Sequence, residues 1–199
     1  MIEFTVAVAC AYLYGSLPTG YLAGKMRGKD IRREGSGSTG ATNVFRQLGA
    51  GPGIAVAAVD ISKGMIPAVL GKYALGMEDF YVLAVVFSGA LGQVFPVFLG
   101  FKGGKGVSVL LGGLIIIAWH PVVVPAAATM WLAMLVSIRI MSLVNLMAFL
   151  LLVAPALYIC QDFSLAWYLA GLGLFMFVCV THRENIGRLL RGTEKRLNY

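Results

Sequence analysis

A short segment at residues 35–40, GSGSTG, has the glycine spacing of the turn that binds dinucleotide phosphates. That turn requires a buried strand before the glycines and a helix after them, because the phosphates lie over the start of the helix. The preceding residues 29–34, KDIRRE, are too strongly charged to form a buried strand. The segment is therefore not predicted to bind a dinucleotide, and its glycines need another explanation.

Two later segments also combine glycine with basic or amide side chains. They are residues 92–106, GQVFPVFLGFKGGKG, and residues 181–195, THRENIGRLLRGTEK. Glycine leaves backbone N–H groups accessible, and a neighbouring Lys, Arg or His adds positive charge, so each segment offers groups that bind phosphate. A flexible loop is the alternative interpretation of any one of them. Three such segments in one small chain favour a phosphate site.

Two established phosphate and acyltransferase motifs do not fit these segments. Residues 103–106, GGKG, resemble the end of a P-loop, but Leu99 stands where the first glycine is required and Gly106 where a Ser or Thr binds magnesium. His182 resembles the start of the His-x4-Asp motif of common glycerolipid acyltransferases, but Gly187 occupies the acidic position. Neither a P-loop nor that base-orienting dyad is predicted.

The composition indicates an integral membrane protein. Of 199 residues, 59% are hydrophobic and only 13% are charged, which is too few polar groups to cover a soluble globule. The net charge of +7 does not indicate nucleic-acid binding, because the basic residues lie in short pieces between apolar runs. The three cysteines lie in apolar stretches without a pairing pattern, so we expect no disulfide and no metal. No cofactor is expected either.

Seven apolar segments are candidate membrane spans, since a span needs about 20 apolar residues and fewer where the bilayer is thin. They are residues 2–24, 53–76, 80–100, 107–119, 122–138, 142–160 and 165–181. The run 107–138 is too long for one helix, and a hinge at His120-Pro121 divides it into two short ones.

The distribution of basic residues sets the predicted topology. All Lys and Arg except Lys63 and Lys72 lie in residues 25–50, in residues 101–106, near Arg139 or in the tail. Seven crossings place all of these on one side, which is cytoplasmic by the positive-inside rule. We therefore predict an all-α polytopic membrane protein with seven transmembrane helices, the N-terminus outside and the C-terminus cytoplasmic. Residues 1–199 are predicted to form a single transmembrane domain.

The sequence resembles the bacterial acyl-phosphate:glycerol-3-phosphate acyltransferases. The resemblance rests on blocks that occur in the order of that family: SLPTG, GSGSTGATNVFR, DISKG, FPVFLGFKGGKG and HRENIGRLLRGTEK. It implies a seven-span enzyme that begins phospholipid synthesis by moving an acyl group from acyl phosphate to the 1-hydroxyl of sn-glycerol 3-phosphate. The implied products are phosphate and 1-acylglycerol 3-phosphate. Gln93 stands where the family pattern has His, and Ser38 where Asn is more usual.

The resemblance also assigns site residues, position by position. The first segment of the resemblance extends to residue 46, and the phosphate-binding residues expected in it are Gly35, Ser36, Gly37, Thr42, Asn43 and Arg46. Those expected in the second segment are Gly103, Gly104 and Lys105. The expected catalytic residues are Lys105, His182 and Asn185. On a helix continuing from the last span, His182 and Asn185 are three residues apart and share a face.

The implied partners are acyl phosphate, glycerol 3-phosphate and membrane lipid, with no nucleic acid and no obligate protein partner. The implied location is the bacterial cell (inner) membrane, with a multi-pass chain and an active site on the cytoplasmic face.

A transporter of phosphate or organophosphate is the alternative function, and a membrane scaffold without activity is a third. The proton of the attacking hydroxyl is expected to go to the donor phosphate rather than to His182. Asp60 and Lys63, inside the second span, are interpreted as a structural ion pair.

Overall fold

The computed structural model describes residues 1–197, and the regular secondary structure within them is entirely helical. The α-helices are α1 (Ile2–Gly15), α2 (Thr19–Met26), α3 (Ala41–Leu48), α4 (Ala50–Val69), α5 (Asp79–Val94), α6 (Val107–Ile117), α7 (Val123–Ile138), α8 (Met141–Ala148), α9 (Ala154–Cys160), α10 (Leu165–Thr181) and α11 (Arg183–Leu190). Short 3-10 turns lie at Ile31–Arg33 and Val97–Leu99, and π-helical turns at Leu70–Ala74 and Phe149–Val153. This confirms the predicted all-helical fold class.

The first of two compact units is Met1–Ile117. Within it α4 packs along α6, and α1 packs along α5. Glycines let these helices approach closely: a Cβ on Gly64 would collide with the backbone of Val109, and one on Gly15 with the backbone of Gly89. Small residues at helix contacts are typical of membrane proteins, because close approach increases van der Waals contact where lipid offers no hydrophobic driving force.

The second unit begins at Ala118. Its helix α10 packs against α9, where a Cβ on Gly171 would collide with Ala154. Pro155 follows the π-helical turn that joins α8 to α9, and it has no N–H to donate to a preceding carbonyl. The single domain over residues 1–199 stays a prediction.

Helix length bears on the predicted membrane crossings. Among residues 1–197, four helical stretches are long and apolar enough to cross a membrane: Ile2–Met26, Ala50–Ala74, Asp79–Leu99 and Met141–Cys160. Helices α10 and α11 form a fifth candidate, bent by 72°, whereas α6 and α7 are shorter apolar helices. The seven crossings and the orientation of the two termini therefore stay predictions.

The apolar run 107–138 is divided into two helices, as predicted. Between them, Nδ1 of His120 accepts hydrogen bonds from the backbone N–H groups of Val122 at 3.2 Å and Val123 at 3.3 Å. The imidazole thus satisfies N–H groups that the start of α7 would leave without an intrahelical partner. His120 has the structural role of a turn residue.

The charged residues inside α4 form a buried ion pair. Lys63 Nζ lies 2.7 Å from Asp60 Oδ1, and both side chains are 1% exposed. Lys63 also donates to the Leu17 carbonyl at 2.6 Å and to the Thr19 hydroxyl at 2.8 Å. Those two residues flank Pro18, where the chain breaks between α1 and α2. The expected structural pairing of Asp60 and Lys63 is confirmed, and the pair also fastens α4 to this break.

Candidate active site

The loop before α3 is held by the side chain of Asn43. Asn43 Nδ2 donates to the carbonyls of Ile31, Glu34 and Ser38 at 3.2, 3.0 and 2.9 Å, and its Oδ1 accepts from the backbone N–H of Ser36 at 3.1 Å. Asn43 is only 2% exposed. Because one buried amide bonds to backbone along the whole loop, the conformation of residues 34–38 depends on it.

Glycine is required where this loop passes Asn43. Gly35 has a φ of +62°, which disfavours other residues, and a Cβ at this position would collide with Asn43 Oδ1. Gly37 has a φ of +70°. Residues 35–37 are exposed, so this narrow turn presents its backbone to solvent and potential ligands.

An ion pair fixes the chain just before the loop. Arg32 donates to both carboxylate oxygens of Asp30, at 2.9 and 2.8 Å, and its guanidinium lies 4.6 Å from the ring centre of Tyr21. The hydrogen bond from the Arg32 side chain lowers the pKa of Asp30 to about 2, with smaller contributions from the Arg32 backbone N–H and the charges of Arg32 and Arg33. Asp30 is therefore ionised across the physiological range and keeps this turn in place.

The second glycine segment folds back on the end of α5. The N–H of Gly103 donates to the Val94 carbonyl at 3.2 Å, and that of Gly104 donates to the Gln93 carbonyl at 2.9 Å. A Cβ on Gly104 would lie 3.6 Å from Gln93 Cγ and 3.7 Å from Gly40 Cα. Gly104 therefore lies between the side chain of Gln93 and the first glycine segment, so the two segments are neighbours within the first unit.

Both glycine segments lead into the N-terminus of a helix. Gly40 immediately precedes α3, and Gly106 immediately precedes α6. The N-terminal turn of a helix carries partial positive charge and unpaired N–H groups, so it favours bound anions. Lys105 adjoins the second of these helix starts and is partly exposed, whereas Thr42 and Arg46 share one face of α3 because they are four residues apart.

The third segment, in the second unit, differs from its predicted shape. The prediction of a helix continuing from the last span is wrong: α10 ends at Thr181, and α11 turns away by 72°. His182 lies at the bend with a backbone φ of −102° and ψ of 10°, outside the helical region. The hydrogen bond from the Ile186 N–H to the His182 carbonyl, 2.8 Å, still starts α11.

His182 and Asn185 are both buried in spite of this bend. They are 1% and 5% exposed, whereas Arg183 and Glu184 are exposed. His182 Nδ1 lies 2.9 Å from the Val178 carbonyl, which can only accept, so Nδ1 carries the proton of that hydrogen bond. In the neutral imidazole, Nε2 is then the acceptor nitrogen.

Glu194 organises the side chains around Asn185, a role that no sequence pattern indicated. Its carboxylate accepts from Asn185 Nδ2 at 2.6 Å, from Arg188 Nε at 2.6 Å and from the Ser142 hydroxyl at 2.9 Å. Burial raises the pKa of Glu194, but these three hydrogen bonds and the charge of Arg188 outweigh it, and the pKa lies below the usual 4.5. The available signal was weak: Glu194 is one of two acidic residues, with Glu184, among the basic residues of the tail.

We expect Glu194→Gln to lower the free energy of unfolding by about 1–3 kcal/mol at pH 7, because it weakens charge-assisted hydrogen bonds to buried partners. A folded pKa below the unfolded one stabilises the protein above the unfolded value of about 4.5 and loses that stabilisation as pH falls through the folded pKa. The difference between parent and variant should therefore shrink below about pH 4.5.

Thermal unfolding in detergent micelles from pH 3 to 8 measures this difference. The matched control is Glu184→Gln, which removes an exposed carboxylate from the neighbouring helix α11 and should change stability little. A difference that is unchanged between pH 7 and pH 3 would contradict the assigned role of the Glu194 charge.

The structure thus brings two of the three predicted segments together. Gly35, Ser36, Gly37, Thr42, Asn43 and Arg46 lie in the first unit with Gly103, Gly104 and Lys105. His182 and Asn185 lie together in the second unit. Within residues 1–197, no cluster of three or more His, Cys, Asp or Glu side chains could hold a metal ion.

Two glycine segments at helix starts, in an apolar helical protein, are typical of a membrane protein that binds a phosphorylated ligand. A sequence family described as glycerol-3-phosphate acyltransferase matches residues 5–192. The chain belongs to this family, whose function is acyl transfer to glycerol 3-phosphate in phospholipid synthesis.

Individual relatives are similar over nearly the whole chain. A glycerol-3-phosphate acyltransferase of Synechococcus sp. (strain JA-2-3B'a(2-13)) is 42% identical, covering 99% of this chain and 96% of its own. One of Geobacter sulfurreducens is 39% identical and covers 98% of both chains. The crystal structure of PlsY, an integral membrane glycerol 3-phosphate acyltransferase, in its glycerol 3-phosphate form matches with a TM-score of 0.86 and 33% identity, over 98% of this chain and 96% of that one. The chain is thus similar to integral membrane enzymes throughout its length.

Proposed function

We propose that this enzyme transfers an acyl group from acyl phosphate to the 1-hydroxyl of sn-glycerol 3-phosphate, giving 1-acylglycerol 3-phosphate (lysophosphatidic acid) and phosphate. The observation that carries the proposal is the meeting of two glycine segments, each at a helix start, near Gly40 and Gly104. Both substrates carry a phosphate, and both helix starts favour anions. The similar PlsY crystallised in a glycerol 3-phosphate form and a lysophosphatidic acid form, which supports the same acceptor and product here.

In this proposal the first unit binds phosphate. The exposed loop of Gly35, Ser36 and Gly37 offers the Ser36 hydroxyl, and Thr42 offers a second hydroxyl on α3. The N–H groups of Ser36 and Gly37 already donate to Asn43 Oδ1 and to the Glu34 carbonyl, so they hold the loop in shape. Arg46 and Lys105 contribute charge-assisted hydrogen bonds, which are stronger than neutral ones. The N–H groups of Gly103 and Gly104 donate to the Val94 and Gln93 carbonyls, so these glycines act by holding Lys105 beside the first glycine segment. Asn43 acts through the loop whose conformation it holds, so we assign it a positioning role.

The chemistry needs little from an enzymic base. Acyl phosphate is a mixed anhydride with a good leaving group, so positioning and electrostatic stabilisation can supply most of the acceleration. The acceptor O1 forms a bond to the acyl carbon, the bond from that carbon to the phosphate oxygen breaks, and the hydroxyl proton passes to the departing phosphate. No cofactor is required, and no coenzyme A or acyl carrier protein takes part.

His182 and Asn185 are assigned to the acceptor or to the acyl carbonyl. The hydrogen bond from Nδ1 to the Val178 carbonyl holds the imidazole of His182 in one orientation. Asn185 is positioned by Glu194, which accepts from its Nδ2. These contacts suit a role in orienting substrate.

We place the reaction at the cytoplasmic face of a bacterial cell (inner) membrane. The support is the concentration of Lys and Arg in residues 25–50, in residues 101–106 and in the tail, which the positive-inside rule assigns to the cytoplasm. A water-soluble glycerol phosphate and a lipid-borne acyl phosphate can meet at that interface. The proposal requires membrane lipid and no protein partner.

Purified enzyme in detergent tests the function directly. We expect radiolabelled glycerol 3-phosphate to be converted to 1-acylglycerol 3-phosphate with acyl phosphate as donor, and no conversion with acyl-CoA. Uptake of the same label into sealed vesicles without any donor would instead support the transporter. If neither acylation nor uptake occurs, the result supports a membrane scaffold without activity.

The proton acceptor is tested at His182. Because the donor phosphate is proposed to take the proton, we expect His182→Gln to keep at least about 1% of the parent kcat/KM, a loss of about 3 kcal/mol or less in transition-state stabilisation, with the same acid limb of the pH profile. The control is His120→Gln, which changes the turn histidine before α7. Complete loss of activity, together with a parent limb near the ordinary imidazole value of about 6.5, would make His182 the base.

A further inference from the structure

A cavity in the first unit lies beside the two glycine segments. It has an empty volume of about 200 Å³, part of which opens to solvent. Its polar lining includes Thr39, Lys63 and Gln93, and its apolar lining includes Pro96 and Leu99. Thr39 belongs to the first glycine segment, and the Gln93 carbonyl accepts from the N–H of Gly104 in the second. The cavity therefore adjoins the proposed phosphate site without being part of it.

Gln93 has an unsatisfied acceptor here. Its side chain is only 7% exposed, and its Oε1 is buried without a hydrogen-bond donor from the described residues. A buried carbonyl without a donor is costly, and native proteins retain few of them. Gln93 also lines the cavity, and a ligand hydroxyl or N–H group there would satisfy this oxygen once the amide rotates toward it.

The charge of Lys63 does not make the cavity an anion site. Its ammonium group has three N–H donors, and they are used by the Leu17 carbonyl, the Thr19 hydroxyl and Asp60 Oδ1. The Asp60 carboxylate neutralises its charge at 2.7 Å. What remains for a ligand is the Gln93 acceptor and the Thr39 hydroxyl, which together suit a neutral hydroxyl group.

We propose that this cavity binds the 2-hydroxyl of glycerol 3-phosphate, with Gln93 Oε1 as its hydrogen-bond acceptor. The inference rests on the proposed acceptor substrate. The phosphate of that substrate belongs at the glycine segments, and its 1-hydroxyl must remain beside the acyl carbonyl to react. The 2-hydroxyl is the neutral group left to enter the cavity. Gln93 is then a specificity-determining residue that recognises the acceptor substrate, glycerol 3-phosphate, rather than the acyl donor.

The experiment compares two acceptors, glycerol 3-phosphate and 3-hydroxypropyl phosphate, which lacks only the 2-hydroxyl. The parent is expected to prefer glycerol 3-phosphate by about tenfold to a hundredfold in kcat/KM, since a buried acceptor is left unpaired by the analogue. In Gln93→Met the preference should fall to about threefold or less, through weaker use of glycerol 3-phosphate, while the KM for acyl phosphate changes less than about twofold.

Further variants distinguish loss of the hydrogen-bond acceptor on residue 93 from a change in the volume of its side chain. Gln93→His keeps an acceptor nitrogen and should retain the preference, and Gln161→Met, a change of the same type in the second unit, should leave it unchanged. Thr39→Val removes the hydroxyl of Thr39 and should lower the preference, which keeps the test available if Gln93→Met does not fold. The other threonine of the lining, Thr19, already bonds to Lys63 and Asp60. Thermal unfolding of each variant in detergent establishes that it is folded.

Three results would overturn the inference. The parent could use both acceptors equally, Gln93→Met could lower both activities by the same factor, as expected if the cavity holds only water, or Gln93→His could lose the preference. None of these results contradicts the proposed function. That function fails only if the parent does not transfer an acyl group from acyl phosphate to glycerol 3-phosphate at all.

Discussion

Replacing Lys105 by alanine is expected to lower kcat/KM by about two orders of magnitude or more. A charge-assisted hydrogen bond to phosphate contributes roughly 1.5–3 kcal/mol, and more where water is excluded, and each 1.4 kcal/mol is about tenfold in rate. Arg46→Ala should have an effect of the same order, because its guanidinium is proposed to bind phosphate from α3. Initial rates at varied glycerol 3-phosphate and acyl phosphate, with purified protein in detergent, measure both variants.

The chain provides a matched control for Lys105 in the same segment. Lys102 is exposed and lies three residues earlier, so Lys102→Ala removes the same charge from residues 101–106 and should retain most of the activity. All three variants should remain folded, since none of the side chains is fully buried. Near-normal turnover with Lys105→Ala or Arg46→Ala would remove that residue from the proposed site.

Breaking the buried ion pair of α4 is expected to have the largest effect on stability. Asp60→Ala leaves the Lys63 charge uncompensated at 1% exposure, and loss of one partner of a buried pair typically costs about 3–5 kcal/mol. Lys63→Met should cost a similar amount, because it leaves the Asp60 charge unpaired and the Leu17 carbonyl without this donor. Thermal unfolding in detergent measures both losses.

Two further variants test whether charge burial is the cause. The double variant Asp60→Leu with Lys63→Met removes both charges, and it should be more stable than either single variant, because apolar residues often replace a buried pair at little cost. Lys72→Met breaks the pair with Asp79, where the two groups are 3.0 Å apart but 26% and 22% exposed, and should cost about 1 kcal/mol or less. Equal losses for Lys72→Met and Lys63→Met would contradict the role of burial.

Several features were predictable because they depend on composition or local order. The excess of apolar residues requires a lipid environment, and lipid requires helices that satisfy their own backbone hydrogen bonds. The division of residues 107–138 follows from a proline beside a histidine in an overlong apolar run. The pairing of Asp60 and Lys63 follows from the cost of a lone charge in an apolar helix and their spacing of three residues.

The sequence blocks also indicated the family and the residues that its motifs carry to this chain. The first and second glycine segments were recognised as phosphate-binding candidates from residue types alone. The sequence did not predict that Gly104 lies next to Gly40, because about sixty residues separate them. The packing of α4, α5 and α6 brings them together. The role of Asn43 was likewise hidden, since its partners are backbone carbonyls that any residue could provide.

In the tail, the sequence by itself determined which residue types meet, and tertiary structure decided their geometry. His182 and Asn185 share a buried side, as their spacing predicts, but the 72° bend that separates α10 from α11 interrupts the expected continuous helix. Glu194 reaches Asn185, Arg188 and Ser142 only because the chain turns back after α11 and α8 lies within reach. Periodicity describes neighbours along one helix, whereas contacts across a turn or between helices depend on packing that no local pattern encodes.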